Sequence, residues 1–195
     1  MLNPTRLIRA RLVGIRCLAA TIMVSVSACS AGQDRTTSTG DPVEIQARGE
    51  IPAATNLWTR QAGHDWPSFL GPSRNGKSKE TGIRTDWSSG LPIVWQRPLG
   101  TGYGIGSVSR GRLFQFDRYG DLARLICLHA ETGEMLWKFE YQTNYTDMYG
   151  YNGGPRCVPV VDQERVYIYG VEGLLHCLRV VDGSPRYALH GAGVQ

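Results

Sequence analysis

The chain has 195 residues and a formal charge of +4, with 42% hydrophobic residues, 24 glycines and ten prolines. This composition supports a packed core and excludes global disorder, while the glycine and proline content favours a turn-rich all-β chain over long helices. The positive excess lies entirely in Arg6, Arg9, Arg11 and Arg16, within the acid-free residues 1–28. Without them 17 basic residues face 17 acidic ones, which removes the case for nucleic acid or a polybasic membrane patch.

The first predicted element is an address. Four arginines precede a short apolar run, residues 17–28 (CLAATIMVSVSA). This is the pattern of a signal peptide, and the run is too short for a spanning helix of ~20 residues. It ends Val26-Ser27-Ala28-Cys29, which resembles a bacterial lipobox. By that resemblance Cys29 becomes the acylated first residue of the mature chain and binds a membrane through its lipid. An ordinary secretory signal cut at the same small residues is the alternative, and either exports the chain. Each buried methylene of an acyl chain adds ~0.8 kcal/mol, so two or more chains anchor firmly. Ser30 stands where an aspartate would signal inner-membrane retention in some bacteria, which favours the outer membrane of the cell envelope. Residues 30–50 are polar and without period, as expected of a flexible tether. Residues 51–63 read equally as tether or as folded chain, giving boundaries of 1–28 signal, 29–63 lipidated cysteine and tether, and 64–195 folded domain.

Next come Asp65–Gly76 (DWPSFLGPSRNG), an apolar stretch around Trp95 (PIVWQRPLG), and Gly100–Ser107 (GTGYGIGS). The last ends in Ser107 where a dinucleotide fingerprint needs glycine, and Arg110-Gly111 interrupts any helix beyond it. It reads as glycine turns entering a strand.

The rest is a repeat. Cys127–Trp137 (CLHAETGEMLW) lies on Cys177–Tyr187 (CLRVVDGSPRY) without a gap at an offset of 50. Upstream, Gly111–Phe116 matches Glu164–Tyr169 at an offset of 53, which places three extra residues in a loop of the first copy around Asp117–Leu122. Each copy reads strand, turn, strand, acidic-glycine turn, strand, with apolar runs at Leu125–Leu128 and Leu174–Leu178 suited to strands buried on both faces. A period near 50 with three or four short strands marks a propeller blade, which must stack on neighbours to bury its faces.

Leu128–Trp137 (LHAETGEMLW) resembles the strand-turn-strand core of the pyrroloquinoline-quinone-like repeat family, Leu-Asp-Ala-x-Thr-Gly-x-x-x-Trp, and Asp65–Gly76 resembles the opening segment of secreted bacterial propellers of that type. His129 replaces the aspartate, and Val181-Asp182-Gly183 replaces x-Thr-Gly in the second copy. The resemblance implies an all-β partial propeller of two to three four-stranded antiparallel blades. It implies that Trp95, Trp137 and Tyr187 dock between blades, Trp95 standing for a blade whose earlier strands are absent. Residues 65–195 are too few for a ring of ~4–8 blades, so either further blades or self-association must complete it, and a fragment of a longer protein is expected.

The resemblance also raises quinoprotein dehydrogenase activity with pyrroloquinoline quinone and calcium. The marks of such enzymes, an adjacent-cysteine pair and a Glu/Asn calcium site, are absent from the sequence, so no cofactor and no metal site are expected; a dehydrogenase whose site lies in missing blades is the alternative. Cys127, Cys157 and Cys177 read as small buried hydrophobes. His64, His129, His176 and His190 have no metal-ligand spacing, and no GxSxG supports a catalytic triad. The remaining candidate is a blade-entering loop carrying Tyr145, Asp147, Tyr149, Tyr151, Asn152 and Arg156. Tyr and Arg anchor interfaces, whereas Gly153-Gly154-Pro155 is a turn. The expectation is a non-catalytic scaffold or binding module for a protein or saccharide.

Overall fold

The computed structural model describes residues 50–60 and 63–191, all within the second of two units, Ser38–Gln195. The expected signal peptide, Cys29 and the expected tether up to residue 49 lie outside the described residues.

The described chain is all-β, two blades of a partial propeller. The first sheet holds β1 (Ser107–Ser109), β2 (Arg112–Tyr119), β3 (Leu122–His129) and β4 (Met135–Gln142); the second holds β5 (Val160–Asp162), β6 (Arg165–Tyr169), β7 (Leu174–Arg179) and β8 (Pro185–His190). Each is an antiparallel meander in sequence order. The short inner strands β1 and β5 carry too few residues to show an alternation in sequence, and they are what turns three legible strands into four.

The repeat holds down to single hydrogen bonds. Gly133 N donates to His129 O and Gly183 N to Arg179 O; Ala130 N donates to Gly111 O and Val180 N to Glu164 O. Both outer strands carry a β-bulge at the same place, with Leu136 and Arg186 as the extra residues opposite the Cys127–Leu128 and Cys177–Leu178 steps of the third strands. The extra residue turns the outer strand so that Trp137 sits opposite Cys127 and Tyr187 opposite Cys177.

One expectation is corrected. The three extra residues of the first copy do not enlarge a loop at Asp117–Leu122. They lengthen the hairpin, since β2 and β3 pair continuously from Arg112↔His129 to Tyr119↔Leu122 around a two-residue turn, Gly120-Asp121. Asp117 and Tyr119 share a face of this hairpin, where Asp117 is buried and Tyr119, next to the turn, is exposed with the Arg124 guanidinium over its ring.

The core lies between the sheets. Phe114, Phe116, Ala123, Leu125 and Cys127 of the first sheet meet Val161, Val166, Ile168 and Leu178 of the second, with Trp137, Phe139 and Tyr141 packed against them. Pairing register explains the faces: Phe114, Cys127 and Trp137 stand in one row across β2–β4 and face the second sheet. The equivalent row, Tyr167, Cys177 and Tyr187, shares no place in that core. Each fully buried large side chain contributes about 1.5–3 kcal/mol over exposure. β3 is buried on both faces from Leu125 to Leu128.

Part of the ambiguous stretch 51–63 packs on the blades. Ala54 is buried and its N donates to Glu164 Oε2, Leu57 N donates to Arg110 O, and Trp58 Nε1 donates to Asp65 Oδ1. Residues 54–59 therefore lie against the blade turns. The segment is held mainly by blade side chains, as Glu164 and Glu131 accept from Ala54 N and Thr59 N while Arg110 and Arg112 donate to the carbonyls of Ala54 and Thr55.

Candidate functional site

Blade contacts repeat through tryptophan. The Trp137 indole donates from Nε1 to Val180 O at 2.9 Å and lies over Gly183. Trp95 donates to Ala130 O at 3.1 Å and lies over Gly133. Both glycines have positive φ, 72° and 73°, so the turn needs glycine for its backbone as well as for the indole above it. Trp95 thus meets the first blade as Trp137 meets the second, yet among the described residues its segment pairs with no strand, and Ile93 and Val94 are largely exposed. Tyr187 meets no such turn among the described residues; it stands beside Tyr167 and Cys177.

Polar contacts join the same blades. Arg110, at positive φ in the β1–β2 turn, pairs with Glu164 at 2.6 Å and donates to the carbonyl of Gln163, which also has positive φ in the β5–β6 turn. Trp66 pairs by backbone with Val108 of β1, while Pro67 O accepts from Val161 N of β5. The Asp65–Gly76 segment is thereby tied to both inner strands. The glycine stretch has a similar reason: a β-carbon on Gly100 would fall 2.0 Å from Arg118 O, and one on Gly104 would fall 2.3 Å from Cys157 O. Backbone passes too close to backbone for any side chain.

The tyrosine-rich loop lies in the β4–β5 connection (residues 143–159). Asp147 organises it. Its Oδ2 accepts from Tyr151 N at 2.8 Å, its Oδ1 accepts from Arg156 Nη2 at 3.0 Å, and its carbonyl accepts from Gly150 N. Asn152 Oδ1 accepts from Gly154 N, and its amide reaches Gly102 O at 3.4 Å. Both side chains act as turn residues here. Arg156 also lies over the rings of Tyr103, 5.5 Å away, and Tyr145, 5.7 Å away. Arg118 clamps the base by donating to Tyr145 O at 2.5 Å and Gly153 O at 3.2 Å.

On this frame stand Met148, Tyr149 and Tyr151, exposed by 86%, 73% and 80%. The two tyrosine rings are 6.0 Å apart and inclined by 24°. Loop backbone is tied down while its aromatic side chains face solvent. Arg118 and Tyr103 were not legible as parts of this loop: Arg118 belongs to a strand, and Tyr103 to the glycine stretch. Only the fold brings them together.

The candidate nucleophiles are poorly placed for chemistry. Burial pushes the Cys127 thiol up to about 12 and also raises Cys157 and Cys177. Burial lowers His176, whose ring sits 5.1 Å from Phe139 and 4.6 Å from Tyr141 with Nε2 unpartnered. Among the described residues no three of His, Cys, Asp and Glu converge as a metal-binding group. No helix among them is long and apolar enough to cross a membrane.

Two meanders with matching bulges and matching indole-on-turn contacts define a β-protein of the propeller-blade class. No family model matches the chain, and no curated protein matches it. Among solved structures it is similar to the crystal structure of BamB from Moraxella catarrhalis, at 17% identity and a TM-score of 0.30, over 47% of this chain and 23% of that one. The match spans less than a quarter of that protein's length. The blade assignment stands on this chain's own sheets.

Proposed function

We propose that this chain is a non-catalytic binding module of the cell envelope, built on propeller blades and presenting the β4–β5 loop to a protein or saccharide partner. One observation carries the reading: Tyr149 and Tyr151 are exposed on a loop whose backbone is braced by Asp147, Asn152, Arg118 and Arg156. A braced aromatic pair offers contact area at small entropic cost, because tyrosine has two side-chain torsions and the backbone is already ordered. The lipobox resemblance at Cys29 supplies the envelope location, and the ring is completed by further blades or by copies of the chain.

The test is affinity capture from a solubilised envelope fraction, with wild type and a Tyr149→Ser/Tyr151→Ser double variant run side by side. A protein or glycan retained by wild type and lost by the variant supports the reading. Identical retention by both, or dye-linked alcohol oxidation on adding quinone and calcium, overturns it.

A further inference from the structure

Beside the tyrosine loop runs a groove of about 480 Å³ whose apolar wall is Phe69, Leu70, Tyr103, Ile105, Val158 and Val160. This is within the ~300–1,000 Å³ of ordinary small-molecule sites. Its ionic lining is of one sign, Arg74 and Arg156, with no carboxylate among the lining residues. Arg156 is held by Asp147, whereas Arg74 has no carboxylate partner among the described residues. One positive charge on the groove is therefore uncompensated.

Nearby backbone groups are already engaged. Val161 N donates to Pro67 O, Tyr103 N to Pro155 O, Gln115 Nε2 to Gly104 O, and Ser107 Oγ to Pro159 O. These bonds engage part of the backbone beside the groove, and the side chains of Arg74 and Arg156 supply its ionic lining. The backbone that carries Arg74 is held, while its side chain is exposed. Its loop is closed by Gly71 N to Ser68 O, Arg74 N to Gly71 O and Gly76 N to Leu70 O, with Arg74 itself at φ 51°.

We propose that this groove binds an amphipathic monoanion, a medium-chain aliphatic carboxylate. Its hydrocarbon lies on Leu70, Ile105, Val158 and Val160, and its carboxylate meets the guanidinium of Arg74, whose planar fork suits two oxygens. This goes beyond the partner-binding reading and shares Arg156 and Tyr103 with it.

The experiment titrates the full 195-residue chain with decanoate and with uncharged decanamide, followed by calorimetry. Saturable one-to-one decanoate binding is expected, with decanamide at least fivefold weaker. Arg74→Met should weaken decanoate five- to tenfold and leave decanamide unchanged. Ile105→Glu, at a half-exposed wall position, should weaken decanoate more than decanamide; it serves as a second probe if a bulky Val160→Trp filling variant fails to fold. The Tyr149→Ser/Tyr151→Ser variant should bind decanoate as wild type does, so that failure of the partner reading is told apart from failure of this one. Equal affinity for acid and amide, indifference to Arg74→Met, or binding of an acidic leucine-rich peptide without decanoate binding overturns the proposal.

Discussion

The Trp137 ring lies so close to Gly183 that a β-carbon on the glycine would come within 2.4 Å of it. Gly183→Ala must therefore displace the indole or the turn, and it also forces alanine to a φ of 72°. A loss of about 1–3 kcal/mol is expected. Gly120→Ala is the control: φ is 62° but nothing lies within 4 Å, so only the backbone cost of about 1–2 kcal/mol remains. Urea denaturation of both variants checks the difference, and equal losses would remove the indole from the account.

Asp117 is almost fully buried and accepts from Arg124 Nε at 2.9 Å, Arg124 Nη2 at 2.7 Å and Gly100 N at 2.7 Å. Removing the carboxylate leaves a guanidinium, 16% exposed, without its partner. Asp117→Ala should cost about 3–5 kcal/mol, and Asp117→Asn less, because an amide oxygen still accepts. Thermal melts of the two variants test the order; a silent Asp117→Ala would contradict it.

His176 is buried neutral between the blades, and its folded pKa lies below its ordinary value because burial disfavours the charged ring. The unfolded chain then binds the extra proton first. Stability is complete above about pH 6.5 and falls as the pH drops below it, toward the folded pKa. His176→Ile, which installs the residue that the first blade carries at Ile126, should flatten the acid limb of the urea midpoint between pH 8 and 5. An unchanged slope would assign the acid sensitivity to other groups.

Cys127 is fully buried and its thiol is pushed up to about 12. In the native protein at pH 8 it should resist iodoacetamide and become labelled only on unfolding, because the thiolate is the nucleophile. Peptide mapping after timed alkylation reads this directly. Prompt native labelling at Cys127 would mean that the interface between the blades opens.

Much of the fold was legible in the chain because blades obey local rules. Apolar runs at Leu125–Leu128 and Leu174–Leu178, glycines at 133 and 183, and aromatic residues at 137 and 187 recur at one offset. Strand alternation and turn chemistry suffice to place them. The inner strands were harder to see, since three residues carry no period. The extra residues at Asp117–Leu122 were misplaced because a longer hairpin and a longer loop leave the same gap in an alignment.

The sequence by itself therefore determined the repeat, the acidic-glycine turns and the neutrality of the chain beyond residue 28. All three depend on residues near one another or on composition. Tertiary structure alone decided which face of each sheet meets the other, that Ala54–Thr59 packs on the blades, and that Arg118 and Tyr103 brace a loop dozens of residues away. It also set Arg74 on the groove with Ile105 and Val160. Those relationships follow from sheet register and from close passage of distant backbone, and neither leaves a period in the chain.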